Sequence, residues 1–170
     1  RAQPPCGEGE AAVRALLGIG TNLGDREENL AGAFSGLEKL PGTRLLAISN
    51  IYETEPFDVL SEQEDYLNCC VLIETEIEPL ELLHRCLELE SRLGRVRREY
   101  HGARTIDIDL LVYEGAESGT EELKLPHPAI LERAFVMVPM SDIFPSHNAL
   151  GLDFDRAYQT VDKSGVRLYK

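Results

Sequence analysis

Apolar residues recur along the chain with two different periods, and each change of period marks an element. Residues 13–20 form a mainly apolar run that reads as a first strand, followed by a turn at 20–24 with glycine at both ends. From about 25 to 40 the spacing lengthens: Leu30, Phe34 and Leu37 lie at i, i+4 and i+7, which predicts a helix ended by Pro41-Gly42. A second strand is predicted over 44–52 and a third over 66–74. The run Leu67, Cys69, Cys70, Val71, Leu72, Ile73 implies that the third strand is covered on both sides. Between them, 55–65 is polar and carries Pro56, so it reads as a long loop. Pro79 opens a second helix, with Leu82, Leu83, Cys86, Leu87 and Leu93 on its inner face and Gly94 as its stop. A fourth strand is predicted over 105–113. A Gly- and Glu-rich loop follows at 114–122, then short strands at 123–125 and 135–140 around a one-turn helix at 129–133. Past Pro145 the pattern weakens to a short terminal helix packed by Asp153, Phe154 and Tyr158.

The order β-α-β-β-α-β, with extra short strands and helices, is that of an α+β ferredoxin-like sandwich. At 170 residues the chain reads as one domain over 1–170. Residues 1–12 are polar and lack a starting methionine, so they are expected to be a flexible lead-in or the remnant of a fusion. No secretory leader is visible there and no apolar run approaches a membrane span, so cytoplasm is the expected location. The four cysteines show no Cys-x-x-Cys spacing. Cys69 and Cys70 should point to opposite faces of one strand, which suits a structural role in a reducing compartment.

Charge changes the picture. The chain holds 30 acidic and 17 basic residues, a net charge of −13, which speaks against a nucleic-acid backbone as partner. Within that acidic chain, Arg92, Arg95, Arg97, Arg98 and Arg104 fall in thirteen residues containing a single acid, Glu99. Arginine's planar fork matches phosphate oxygens, so a small polyanion in a focused site fits this island. Immediately after it, Ile106, Ile108, Leu110 and Val112 mark one face of the fourth strand at period two, leaving Asp107 and Asp109 together on the other. Alone, an Asp-x-Asp is more often a solvated strand face. Beside the arginines it suits a hard divalent cation that carries a polyphosphate. The chain has no Walker A sequence, no Gly-x-Gly-x-x-Gly and no His-Arg-Asp, so any nucleotide must be held by arginines, metal and several loops.

Six segments together resemble the 6-hydroxymethyl-7,8-dihydropterin pyrophosphokinases of folate synthesis. They are Gly18-Ile19-Gly20-Thr21-Asn22-Leu23-Gly24-Asp25, Ser49-Asn50-Ile51-Tyr52-Glu53-Thr54-Glu55-Pro56, Asp65-Tyr66-Leu67-Asn68, Glu90-Ser91-Arg92-Leu93-Gly94-Arg95, Arg104-Thr105-Ile106-Asp107-Ile108-Asp109-Leu110-Leu111, and Leu125-Pro126-His127-Pro128 continuing to Arg133-Ala134-Phe135-Val136. The resemblance covers roughly residues 15–145 in order, and its fold is the sandwich already inferred.

The resemblance implies transfer of pyrophosphate from ATP to the hydroxymethyl group of a reduced pterin, releasing AMP. It implies that Asp107 and Asp109 hold two Mg²⁺ ions and that Arg95, Arg97 and Arg104 bind phosphates and act in catalysis. Glu90, Leu110, Lys124, His127 and Arg133 would complete the nucleotide site. Thr54, Glu55, Phe57, Tyr66, Asn68 and Phe135 would border the pterin, with no membrane and no nucleic acid as partner. The family also implies that such a domain can be fused to, or associated with, another folate-pathway enzyme. Three places depart from the usual pattern: Asp58 where a loop glycine is common, Tyr100-His101 where a tryptophan can stand, and Leu87 where a glutamine often meets the nucleotide. Two other classes fit the residues more loosely, a different Mg²⁺-dependent nucleotidyl or phosphoryl transferase and a non-catalytic ferredoxin-like binding module.

Overall fold

The computed structural model describes residues 11–55, 64–94 and 106–170. The described residues open with β1 (Val13–Thr21) and α1 (Arg26–Glu38), whose N-cap Asp25 accepts the Glu28 N–H at 3.1 Å. The strands β2 (Thr43–Ile48) and β3 (Tyr52–Thr54) come next, then the central strand β4 (Tyr66–Thr75). Pro79 starts α2 (Pro79–Leu93), Gly94 caps it, and β5 (Asp107–Tyr113) follows. Short strands β6 (Ser118–Gly119) and β7 (Lys124–Leu125) pair with each other ahead of a 3₁₀ turn at Ile130–Glu132 and α3 (Ala134–Ile143). The chain finishes with the hairpin of β8 (Asn148–Ala149) and β9 (Leu152–Asp153), then α4 (Asp155–Thr160) and β10 (Val166–Leu168).

The main sheet runs β10-β3-β4-β1-β5, with β2 also paired to β4, and each of these pairings is antiparallel. Two apolar layers cover it. On one face α1 and α2 bring Leu30, Leu37, Leu82, Cys86 and Leu89 against Ile19, Leu67, Val71 and Ile108. On the other, Met137 and Met140 of α3 and Phe154 pack over Leu16, Cys70, Leu72 and Leu111. Cys69 and Cys70 fall in opposite layers, as their adjacency requires, and burial pushes the Cys69 thiol up to about 12. Among the described residues no helix is long and apolar enough to cross a membrane.

Four expectations are corrected. The segment predicted as a strand at 135–140 is helical: Ala134, Met137 and Met140 recur every third residue and are buried against the sheet. A short apolar run carries no strand-or-helix label of its own, and Pro139 inside it disguises the helix further. The strand predicted over 44–52 is broken at Ser49, whose hydroxyl accepts the Cys70 N–H at 2.8 Å. Two residues on, the Ile51 backbone leaves β4 and pairs with Tyr169 and Lys170. Val112 does not share the Ile106, Ile108 and Leu110 face. A β-bulge opposite Leu16 and Leu17 rotates it into the α3 layer, where it joins Leu111. Leu87 is exposed at 47% and Leu89 takes the inner position on α2.

Candidate functional site

Strand register builds the floor of a cavity of about 750 Å³ on the α3 side of the sheet. Opposite Gly20 stand Asn68 on β4 and Asp107 on β5; opposite Gly18 stand Cys70 and Asp109. Because side chains alternate, Asp107, Asp109 and Asn68 point to the same face as the two glycines, and all of them line the cavity. Asn68 and Asp107 flank one glycine from strands on either side, about 10 Å apart at two strand spacings. The glycines keep that gap open. A Cβ at Gly20 would meet Asn68 Oδ1 at 2.8 Å, and one at Gly18 would meet Leu111 Cδ1 at 3.2 Å. Sequence reading placed Gly20 where the first strand meets a turn and missed the floor; the Gly-x-Gly alternation against Asp-x-Asp was the available signal.

Of the predicted pterin-side residues, Thr54, Glu55, Tyr66, Asn68 and Phe135 come together here. Asn68 Nδ2 donates to Thr54 Oγ1 at 2.8 Å, and both side chains are nearly buried, which fixes the carboxamide facing the floor. Phe135 rises from the first turn of α3, with the Arg133 guanidinium 5.6 Å from its ring centroid. Arg133 also lines the cavity, so the predicted nucleotide arginine and the predicted pterin aromatic share one wall. Phe57, Arg95, Arg97 and Arg104 lie outside the described residues, as do Asp58 and Tyr100-His101.

The remaining predicted residues stand around the cavity and do not line it. Glu90, on α2, has its carboxylate 2.6 Å from the Ile108 N–H, which it accepts between the two aspartates. Glu90 and Asp109 both lie near Cys86, whose thiol is pushed up to about 12 by burial first and by these carboxylates second. Leu110 turns its side chain into the core, so only its backbone can meet a ligand, along the strand edge where Glu90 binds. Lys124 is exposed on β7. His127 is held twice, donating its N–H to Leu111 O at 2.8 Å and accepting the Ala129 N–H on Nδ1 at 3.1 Å. That second bond leaves the proton of the neutral ring on Nε2.

Burial holds His127 below the usual histidine value; Asp109 works against that shift and Arg133 adds to it. His127 is therefore expected to be neutral at pH 7. With its folded pKa depressed, its stabilising contribution is full above the unfolded value of about 6.5 and is lost as pH falls through the folded value. In an NMR titration, Asp109→Asn should lower the His127 midpoint further and Arg133→Met should raise it. A midpoint that ignores both substitutions would show that neither charge reaches the ring.

Among the described residues no group of three or more His, Cys, Asp or Glu side chains is placed to hold a metal. Asp107 and Asp109 still fit a hard cation that draws its other ligands from a bound polyphosphate and water, which is how Mg²⁺ is commonly held.

The sequence matches the model of the 7,8-dihydro-6-hydroxymethylpterin-pyrophosphokinase family over residues 16–145. It is 45% identical over 154 residues to the 2-amino-4-hydroxy-6-hydroxymethyldihydropteridine pyrophosphokinase of Methylorubrum extorquens, covering 91% of this chain and 97% of that protein. It is also 36% identical over 157 residues to the folic acid synthesis protein fol1 of Schizosaccharomyces pombe, covering 91% of this chain but 21% of that protein. Among solved structures, the wild-type HPPK-DHPS of Plasmodium falciparum superimposes with a TM-score of 0.65 at 14% identity, over 89% of this chain and 41% of that one. The last is a likeness of fold.

Proposed function

Because the chain belongs to the 7,8-dihydro-6-hydroxymethylpterin-pyrophosphokinase family, we propose that it transfers pyrophosphate from ATP to the hydroxymethyl group of 6-hydroxymethyl-7,8-dihydropterin in folate biosynthesis, releasing AMP. The observation that carries the reading is the floor of the cavity, where Asn68 and the aspartate pair flank two glycines on adjacent strands. A flat polar ring beside Asn68, Tyr66 and Phe135 would direct its hydroxymethyl group across Gly20 toward Asp107 and Asp109. The mixed donor and acceptor edge of a pterin suits the carboxamide of Asn68, and Tyr66 and Phe135 offer ring faces.

Two Mg²⁺ ions held by Asp107 and Asp109 would neutralise the triphosphate and leave its β-phosphorus open to attack. The hydroxymethyl oxygen bonds to that phosphorus, releasing its proton to solvent, as the bond from phosphorus to the oxygen retained by AMP breaks. Arg133 supplies fixed positive charge on the α3 wall. His127 offers a neutral Nε2–H donor beside the phosphates and adds no charge. Arg95, Arg97 and Arg104 take phosphate oxygens and stabilise the charge that spreads over them in transfer, a role their planar forks suit. Lys124 and the Leu110 backbone serve the nucleotide from the β5 edge, while Glu55 and Phe57 border the pterin.

The sheet order and the two crossing helices support assignment of the fold to the ferredoxin-like class. Reduced thiols and substrates of this kind fit a cytoplasmic enzyme with small-molecule partners, needing neither membrane nor nucleic acid. The S. pombe relative, of which this chain covers 21%, supports the view that such a domain works fused to or beside another folate-pathway enzyme. A coupled assay for AMP release tests the reaction. Activity should need both this pterin and Mg²⁺, and Tyr66→Ala or Asn68→Ala should raise the pterin KM by about tenfold with the ATP KM unchanged. AMP release with other acceptors but not with this pterin would assign a different transferase.

A further inference from the structure

The cavity has a wall that no motif marks. Val161, Asp162, Ser164, Gly165, Val166 and Arg167 line it, all from the segment between α4 and the end of the chain. This segment is built in. β10 pairs with β3, setting Val166 opposite Thr54 and Arg167 opposite Glu53. Beyond it, Tyr169 and Lys170 donate backbone N–H groups to Ile51 O and also reach the Glu27 carboxylate through their side chains.

Arg167 occupies a specific place in that wall. It donates to Asp65 Oδ2 at 2.7 Å and lies 3.6 Å from Glu53 Oε1. From the start of α1, Arg26 grips the same two residues, donating to Glu53 Oε2 at 2.9 Å and to the Asp65 carbonyl at 2.8 Å. Arg26 also lies 3.4 Å from Glu64 Oε1. Each anchored acid precedes a residue of the cavity: Glu53 precedes Thr54, which fixes the Asn68 carboxamide, and Asp65 precedes Tyr66. Two arginines thus hold Glu53 and Asp65, the chain neighbours of Thr54 and Tyr66 at the slot those two form with Asn68.

We propose that residues 161–167 form a substrate-binding wall of this cavity, and that Arg167 is a positioning residue for its pterin side. The proposal rests on the pterin assignment made above. Arg167 is about half exposed and its ion pairs are screened by water, so its loss should cost the fold little. Its effect should appear in the affinity for one substrate.

The test is steady-state AMP release by the full chain carrying Arg167→Met, Arg167→Glu or Arg167→Lys, with Asn68→Ala as reference and thermal melting as a check on folding. Arg167→Met should raise the pterin KM by up to about fivefold, the range expected for a partly exposed ion pair. Arg167→Glu, which sets like charges against Asp65 and Glu53, should raise it further, and Arg167→Lys should restore most of it. The ATP KM, kcat and melting temperature should stay near those of the parent. A folded Arg167→Glu protein with the parental pterin KM would overturn the proposal, as would variants that raise both KM values together. If Asn68→Ala changes the pterin KM and Arg167 variants do not, the pterin assignment stands and the wall fails. If Asn68→Ala also leaves it unchanged, the pterin assignment fails and the proposal falls with it.

Discussion

Asp107→Ala and Asp109→Ala should each lower kcat by about a thousandfold or more, while pterin binding changes by no more than a few-fold. Both carboxylates project from β5 into the cavity, opposite Gly20 and Gly18, and neither belongs to an apolar layer. Removing one therefore leaves the packing of the sheet untouched, so melting should not follow the loss of rate. On the mechanism proposed above, each variant would lose an oxygen ligand for the ions that carry the triphosphate, whose charge the arginines alone would then have to offset. The proposed pterin slot beside Asn68 and Tyr66 lies about two strands away, so the affinity for the pterin should report that distance. Turnover near the parental rate in both variants, measured with saturating Mg²⁺, would remove the aspartate pair from the mechanism.

The parts of this molecule legible in its sequence are those where one side chain answers to one environment. Alternation put Asp107 and Asp109 on a common face, and the structure has both in the cavity. The split of Cys69 and Cys70 between two layers followed from their adjacency alone, and the starts of α1 and α2 followed from Asp25 and Pro79. Features that depend on neighbours distant in sequence were not legible. The bulge that sends Val112 to the opposite layer comes from a mismatch between β1 and β5, which neither strand shows alone. The helix at Ala134–Ile143 is settled by the apolar surface of Leu16, Cys70 and Leu111 waiting for it, and its own residues suit strand and helix alike. The wall at 161–167 depends on an exposed β3 edge and on acids at positions 53 and 65, about a hundred residues earlier in the chain. The glycine floor lies between these cases. Its residues were in view, but their meaning required the register of three strands.

Glu90 is the expected nucleotide residue for which the structure adds a second role to test. The resemblance assigns it to the nucleotide, yet its carboxylate accepts the Ile108 N–H at 2.6 Å, on the strand edge between the two aspartates. A charged acceptor on a backbone N–H is worth about 1.5–3 kcal/mol, and here it ties α2 to the stretch of β5 that carries Asp107 and Asp109. Glu90→Ala should thus lower kcat/KM by about ten- to a hundredfold, since misplacement of a catalytic group by about 1 Å can cost that much. Glu90→Gln keeps an acceptor oxygen without the charge and should recover most of the activity. A role in which the charge of Glu90 acts on the nucleotide predicts the opposite pattern, with alanine and glutamine equally impaired and the loss confined to the ATP KM. Kinetics of the two variants, with both substrates varied, separate the cases. If glutamine fails as badly as alanine, the bond to Ile108 is incidental and the carboxylate acts on the ligand. If glutamine succeeds, α2 contributes to catalysis by holding a strand in place.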